Sequence, residues 1–527
     1  MDGHPRKSAS DAPLKKMEIL LSGDGVPQAH LSGSAGRMVN AGAASNLTSP
    51  LFQEQVLKAK EHFQAEYIRF WDLFSPDFYI DIHGGGKSSQ FQRLDKVFDF
   101  LVQHRLKPYV ELGFKPIRLL RDPQNALRET PPNAEFYSDE EMRSFYQHFM
   151  EHLIKRYDPA EVATWYFEYW EKENLYFSDE GYVFTPMTQE EHEQYFHRFD
   201  LLAGTFRACL PDVKIGGGSF PLQHYGKDGF ERLLRSWRGH SQKLGFLSLT
   251  SFPYQLTQDR AAYYEKKTAD TDFVLHNIQL AKSVMASVGM GELPLHIVEY
   301  SLSLSSRNVL HDSCANSAFL LYNAIACDGK AEFLGYWLLL DAYLEYYDSH
   351  SPLFGGSGLI SKYGIAKPSF YALEFYSSLF RTVSAQGANY LVTQKGTDKF
   401  RMVFHNFKRP NYVYYLAKEN GIQVQDLPGM WENRTPLHCR ICMRSIPNGV
   451  YRVKERWLNQ ENGSVQDQWK KLDMEEELSV DEISFLASSS VPCLQVKHVT
   501  VLDETLNWEL DLKPQEIRYV SIEKVED

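Results

Sequence analysis

From Met38 onward, short apolar runs alternate with segments of helical period. The runs lie in RMVNAG, EYIRFW, KPYVELGF, TWYFEYW, VKIGGG, GFLSLTSF, LHIVEY and EFLGYW. Each has strand length and is bounded by glycine, proline or charge. Between them, SPLFQEQVLKAKEHF opens with a serine cap and a first-turn proline. QFQRLDKVFDFLVQHRL sets Phe91, Leu94, Phe98, Leu101 and Val102 on one face. Ser138 with Glu141, and Thr188 with Glu191, have the spacing of capping boxes. Further helices fit DGFERLLRSW, DTDFVLHNIQLAKSVMASV, DSCANSAFLLYNAIAC and KPSFYALEFYSSLF. Eight strands, each followed by a helix, predict an α/β fold of the (β/α)8 barrel type, lengthened by insertions after strands three and four. Those insertions fall on the carboxyl side of the strands, where such barrels keep their sites.

After Arg381 the period changes to two. ANYLVTQKG, KFRMVFHNF, NYVYYLAK, GVYRVKERWLN, LQVKHVTVL, LNWELDL and IRYVSIEKV read as strands of an all-β, sandwich-like accessory domain. The expected organisation is a disordered polar tail over 1–17, a strand segment over 18–37 joining the β domain, a barrel over 38–381 and the β domain over 382–527.

Composition narrows the function. The 527 residues carry a net charge of −12, which argues against this chain gripping a phosphate backbone. No stretch approaches the roughly 20 apolar residues of a membrane span. MDGHPRKSASDAPLKK has no apolar segment behind its basic residues, so a cytoplasmic location is expected. The six cysteines form no disulfide framework. Cys439 and Cys442 have a metal-like spacing but no second pair, so isolated thiols, no metal and no cofactor are expected.

The strand ends collect polar residues: Arg69, Phe70, Trp71 and Asp72 on strand two, Glu111 on strand three, EKEN on strand four, Glu299 and Tyr300 on strand seven, Tyr336 and Trp337 on strand eight. Carboxylates on strands four and seven, with an arginine nearby, suit glycosidic-bond chemistry, in which one carboxyl protonates the leaving oxygen and a second attacks the sugar. The acid needs a raised pKa, and the nucleophile must stay ionised, which an adjacent guanidinium favours. A tryptophan on the last strand offers a platform for a sugar face.

RFWDLFSPDFYI, DKVFDFLVQHRLKPYVELGFKP, WYFEYWEKENL, LPLHIVEYSLSLSSRNVLHDSCANSAFL and FGGSGLISKYGIAKPSFYALEF resemble glycoside hydrolase family 39, the β-xylosidase and α-L-iduronidase family. YRVKERWLNQENGSVQDQW is similar to its C-terminal β domain. The resemblance implies a retaining mechanism with Glu299 as nucleophile, Arg69 supporting it, Trp337 lining the sugar subsite and Tyr300 as the aromatic residue beside the nucleophile. The departures fall where the chemistry should be. The family's Trp-Asn-Glu-Pro-Asn-Leu, aligned on Trp170, Asn174 and Leu175, meets Glu171, Lys172 at the acid/base position and Glu173. A lysine between two carboxylates stays protonated and cannot deprotonate water. Trp71 stands where the family has histidine, and Thr250 and Phe252 stand in place of Ser-x-His-x-Tyr.

Two readings follow. In the first the chain is a retaining β-glycosidase, β-xylosidase-like, with Glu173 or Glu171 as acid, and with Arg69, Trp71, Glu111, Lys172, Asn174, Thr250, Phe252, Tyr300 and Trp337 against a xyloside or related sugar. In the second it is a catalytically inactive, carbohydrate-sensing barrel like those attached to AraC-type regulators. The sequence leaves open the oligomeric state and whether a DNA-binding domain belongs upstream.

Overall fold

The computed structural model describes residues 15–83, 91–113, 117–122, 125–129, 136–170, 174–178, 181–185, 188–255, 266–341 and 349–525. All eight expected barrel strands are present: Met38–Ala43, Tyr67–Trp71, Lys107–Leu112, Tyr166–Tyr169, Lys214–Pro221, Leu247–Ser251, Leu295–Tyr300 and Phe333–Tyr336. They pair in parallel in chain order. The last returns to the first through a parallel bridge between Ala35 and Leu334 and a Leu339 N–H to Asn40 carbonyl bond of 3.1 Å. The result is a (β/α)8 barrel.

The outer helices match the helical-period segments: Pro50–Phe63, Gln92–Gln103, Asp139–Tyr157, Gln189–Cys209, Leu222–Arg238, Phe273–Ser287, Cys314–Cys327 and Pro368–Ser377. Thr188 and Glu191 form a complete capping box. Ser138 accepts from the Glu141 N–H, whereas the Glu141 carboxylate takes the Tyr137 N–H instead. Pro50 opens the first helix, though Ser49 makes no side-chain cap bond. The two insertions contain backbone hairpins, Ile117–Asp122 with Asn125–Glu129 and Asn174–Ser178 with Gly181–Thr185.

The amino end of the barrel is plugged by Met38, Tyr67, Tyr109, Phe246, Val298 and Phe333. His296 stacks on Phe246 within this plug, 4.4 Å between ring centres. The carboxyl end is polar and carries the site.

The accessory domain is two facing sheets that share one core. The large sheet has seven strands and includes the short Ala29–His30. The small one orders Lys15–Ser22, Leu437–Arg444 and Leu506–Leu512, with Lys15–Ser22 parallel to Leu437–Arg444. Cys439 and Cys442 lie three apart on one of these strands, Cys439 buried and Cys442 on the other face. Alternation keeps them from converging on one ion.

NYVYYLAK departs from expectation, since Tyr412–Leu416 is a short helix. Asn411 caps it by accepting from the Val413 N–H, and the Lys267 ammonium takes the terminal Tyr414 and Ala417 carbonyls. Caps at both ends override the β preference of Tyr and Val. Among the described residues no helix is long and apolar enough to cross a membrane.

Burial makes the fold acid-sensitive. It pushes the imidazoles of His296, His311 and His405 down to about 3, so all three are neutral in the folded chain. In the unfolded chain they titrate near 6.5. Their stability contribution is therefore complete above that value and is lost as pH falls from 6.5 toward 3. The expected slope below pH 5.5 is roughly 4 kcal/mol per pH unit, three protons at about 1.4 each. Urea unfolding across pH 7 to 5 measures it. In His296→Phe the slope should fall by about one proton; an unchanged slope contradicts the assignment.

Candidate active site

The carboxyl end of the barrel is organised around one arginine. Arg69, inward-facing on strand two, has no solvent exposure. Its Nε donates to Glu168 Oε2 at 2.8 Å; one terminal nitrogen donates to Glu299 Oε1 at 2.7 Å and Asn40 Oδ1 at 3.2 Å. The other donates to Glu111 and to Ser219 Oγ. All five guanidinium donors are thereby used. Burial opposes the charge, but Glu168, Glu111 and Glu299 together hold the guanidinium well above its usual range.

Three strands thus deliver three carboxylates to one cation. Their access differs, and that difference has chemical meaning. The side chains of Glu111 and Glu168 are 2% and 0% exposed, that of Glu299 15%. Glu299 alone of the three reaches toward the mouth. Ser219 locks the arrangement by donating to Glu168 at 2.6 Å, its own N–H held by Ser248. Asn40 ties strand one to strands seven and eight through the Val298 and Tyr336 carbonyls.

Trp71 and Trp337 stack at 5.0 Å and 7°, with the Arg69 guanidinium carbon 5.7 Å from the Trp71 ring. Trp71 is buried and Trp337 half-buried, so Trp337 presents the open face. Thr250 pairs in register with Glu299 on the neighbouring strand and is buried, and Phe252 follows it half-buried.

Tyr300 is not at the mouth. Because Glu299 faces inward, the next side chain points outward. Tyr300 is fully buried between Phe319 and Tyr336. Glu111, expected against the sugar, is an interior member of the Arg69 network. Glu171, Lys172 and Glu173 lie outside the described residues, and Asn174 is described only as the backbone start of its hairpin. The approach to them is fixed as far as Trp170, whose N–H bonds the Leu112 carbonyl. A Cβ on Gly113 would lie 2.2 Å from the Trp170 carbonyl oxygen, so that contact needs glycine.

Two further devices hold the rim. Lys367 is wholly buried and ion-paired with Asp312 at 2.6 Å and with Asp341. Asp341 takes the Gly358 N–H and Asp312 the Gly355 N–H, which anchors the FGGSG segment beside Trp337. Burial, with Asp312 alongside, raises the Asp341 carboxyl against the pull of Lys367. On the other side, the loop after Glu299 is held by His311, which meets Ser303 Oγ at 2.8 Å and Tyr336 Oη at 3.2 Å. Glu419, from the segment following Tyr412–Leu416, accepts the Ser305 N–H of the same loop at 2.9 Å.

Sequence reasoning missed Glu168, Asn40 and Ser219. All three are polar residues inside apolar strand runs; Asn40 pairs in register with Arg69, and Glu111 with Glu168. The sequence model of Glycosyl hydrolases family 39 matches residues 34–503. The chain belongs to glycosyl hydrolase family 39. A β-xylosidase of Geobacillus stearothermophilus is 22% identical over 477 residues, 88% of this chain and 87% of that one. The crystal structure of a family 39 enzyme from Xanthomonas axonopodis pv. citri superposes with a TM-score of 0.78 at 20% identity, covering 99% of this chain and 100% of that one. An uncharacterized HTH-type transcriptional regulator of Staphylococcus aureus is 20% identical over 211 residues, 40% of this chain and 27% of that protein.

Proposed function

We propose that this family 39 protein is a retaining β-glycosidase acting on β-xylosides or closely related sugars. Glu299 serves as nucleophile, Arg69 orients it, and Trp337 receives a sugar face. The single observation behind this reading is the Arg69 centre: of three carboxylates on one buried guanidinium, only Glu299 opens toward the mouth. A guanidinium bond at 2.7 Å fixes the carboxylate whose attack on an anomeric carbon would form the glycosyl-enzyme. Asn40, Ser219 and Glu168 act as positioning residues, because they touch Arg69 or its partners.

The acid/base position carries Lys172, and Glu171 or Glu173 takes that role in this reading. Aryl β-xylosides with good leaving groups need little acid assistance, whereas xylobiose needs much. Lys172→Glu is therefore expected to raise kcat on xylobiose by about 10²–10⁴ and to change the activated aryl substrate little. Parallel Glu171→Gln and Glu173→Gln variants identify the native acid as the one whose loss selectively slows xylobiose. Equal effects on both substrates contradict an acid/base role for this segment.

The second reading is a carbohydrate-sensing barrel without turnover, motivated by Lys172 and by the partial likeness to a transcriptional regulator. Saturable binding of xylo-oligosaccharides, with no aryl xyloside turnover above that of Glu299→Gln, would favour it.

A further inference from the structure

Away from the barrel mouth, the two sheets of the accessory domain end together at a cavity of about 330 Å³. The turn residue Asn389 and the segment Asn406–Arg409 line it from the large sheet. Lys15 and the approach Glu432, Asn433 and Thr435 line it from the small one. None of these belongs to the Arg69 site.

Its central feature is Lys408, which is 5% exposed. Its backbone is clamped on both sides by Gln515, which accepts the Lys408 N–H and donates to the Lys408 carbonyl, each at 3.1 Å. The side chain is thus aimed by a rigid backbone. Among the described residues its ammonium has neither an ion pair nor a hydrogen bond. The other charges on the cavity do not neutralise it. Lys15 repels it, and Arg409 is engaged with Asp272 at 3.0 and 3.2 Å. Glu432 lines the cavity but makes no ion pair with Lys408 among the described residues. Burial, then Lys15, lowers the Lys408 ammonium to about 8.

The ammonium nitrogen is not sealed from solvent: it opens into the cavity, where an anion can reach it. The rest of the lining is Phe407 with the polar groups of Asn389, Asn406, Asn433, Thr435 and Glu432. The Asn389 and Asn406 amide N–H groups are held by the His405, Thr435 and Leu512 carbonyls, which leaves their oxygens to accept from a hydroxyl. We propose that this cavity is a binding site for a small polyhydroxylated carboxylate, a single sugar-acid unit, whose carboxylate pairs with Lys408 and Lys15 while its hydroxyls meet the amides and Glu432.

The test is calorimetry of the full chain with D-glucuronate and with D-glucose, which differ in the carboxylate. The expected result is saturable glucuronate binding, absent for glucose and weakened about 10- to 100-fold in Lys408→Met. Binding at pH 8 should also take up about half a proton, seen by repeating the titration in two buffers of different ionisation enthalpy, and almost none at pH 6.5. No glucuronate binding, equal binding of glucose, or binding unaffected by Lys408→Met would each overturn the site. These readouts do not involve Glu299, so they stand or fall apart from the hydrolase reading.

Discussion

Replacing Glu299 by glutamine is expected to lower kcat on an activated aryl β-xyloside by at least about 10⁴-fold, the scale of losing a residue that acts as one unit with the rest of a catalytic site. The substitution is nearly isosteric, and the amide oxygen still accepts from Arg69, so the fold should be retained. The loss should appear in kcat with little change in KM, because the bond Glu299 forms is absent from the bound substrate and begins to form only in the transition state. Steady-state kinetics on the wild type and the variant, with matched unfolding curves, check this. Equal rates would remove Glu299 from the chemistry and leave the sensor reading.

The second large effect is on stability. Arg69→Met strands Glu111, Glu168 and Glu299 in the barrel interior without their shared cation. Breaking a buried ion pair from one side costs about 3–5 kcal/mol, and here three carboxylates lose their partner at once. The expected deficit in urea unfolding at pH 7 is at least about 5 kcal/mol. Protonation relieves the stranded acids, so the deficit relative to wild type shrinks as pH falls toward 5 and grows as it rises. This comparison is made variant against wild type because the buried histidines make both fall in acid. A deficit of less than about 1 kcal/mol would mean that the guanidinium offsets only its own desolvation.

The architecture was legible because it rests on period. Eight apolar runs bounded by breakers are eight barrel strands, and the helical segments between them form the outer layer. The alternating stretches after Arg381 form the two facing sheets. Where period and capping disagreed, capping won, as at Tyr412–Leu416, whose aromatic and β-branched content imitates a strand. The site was only partly legible. Arg69 reaches Glu299 and Trp71 stacks on Trp337 because strand ends converge in a closed barrel. Glu168 escaped notice because attention to strand ends passes over a carboxylate one turn of alternation deeper. Tyr300 was misplaced against the same alternation, which sends it outward once Glu299 points inward. Lys367 reads as the residue before a helix-opening proline; its burial between Asp312 and Asp341 depends on loops far apart in sequence.

The central claim is that Glu299 attacks the sugar and carries it. A 2-deoxy-2-fluoro-β-xyloside with a good leaving group slows release of the glycosyl-enzyme, so that the labelled carboxylate can be located by peptide mass spectrometry. The expected result is one fluoroxylosyl group per chain, on the peptide that contains Glu299, and none in Glu299→Gln. A label on another carboxylate, or cleavage of the reagent with no label on any peptide, would contradict it.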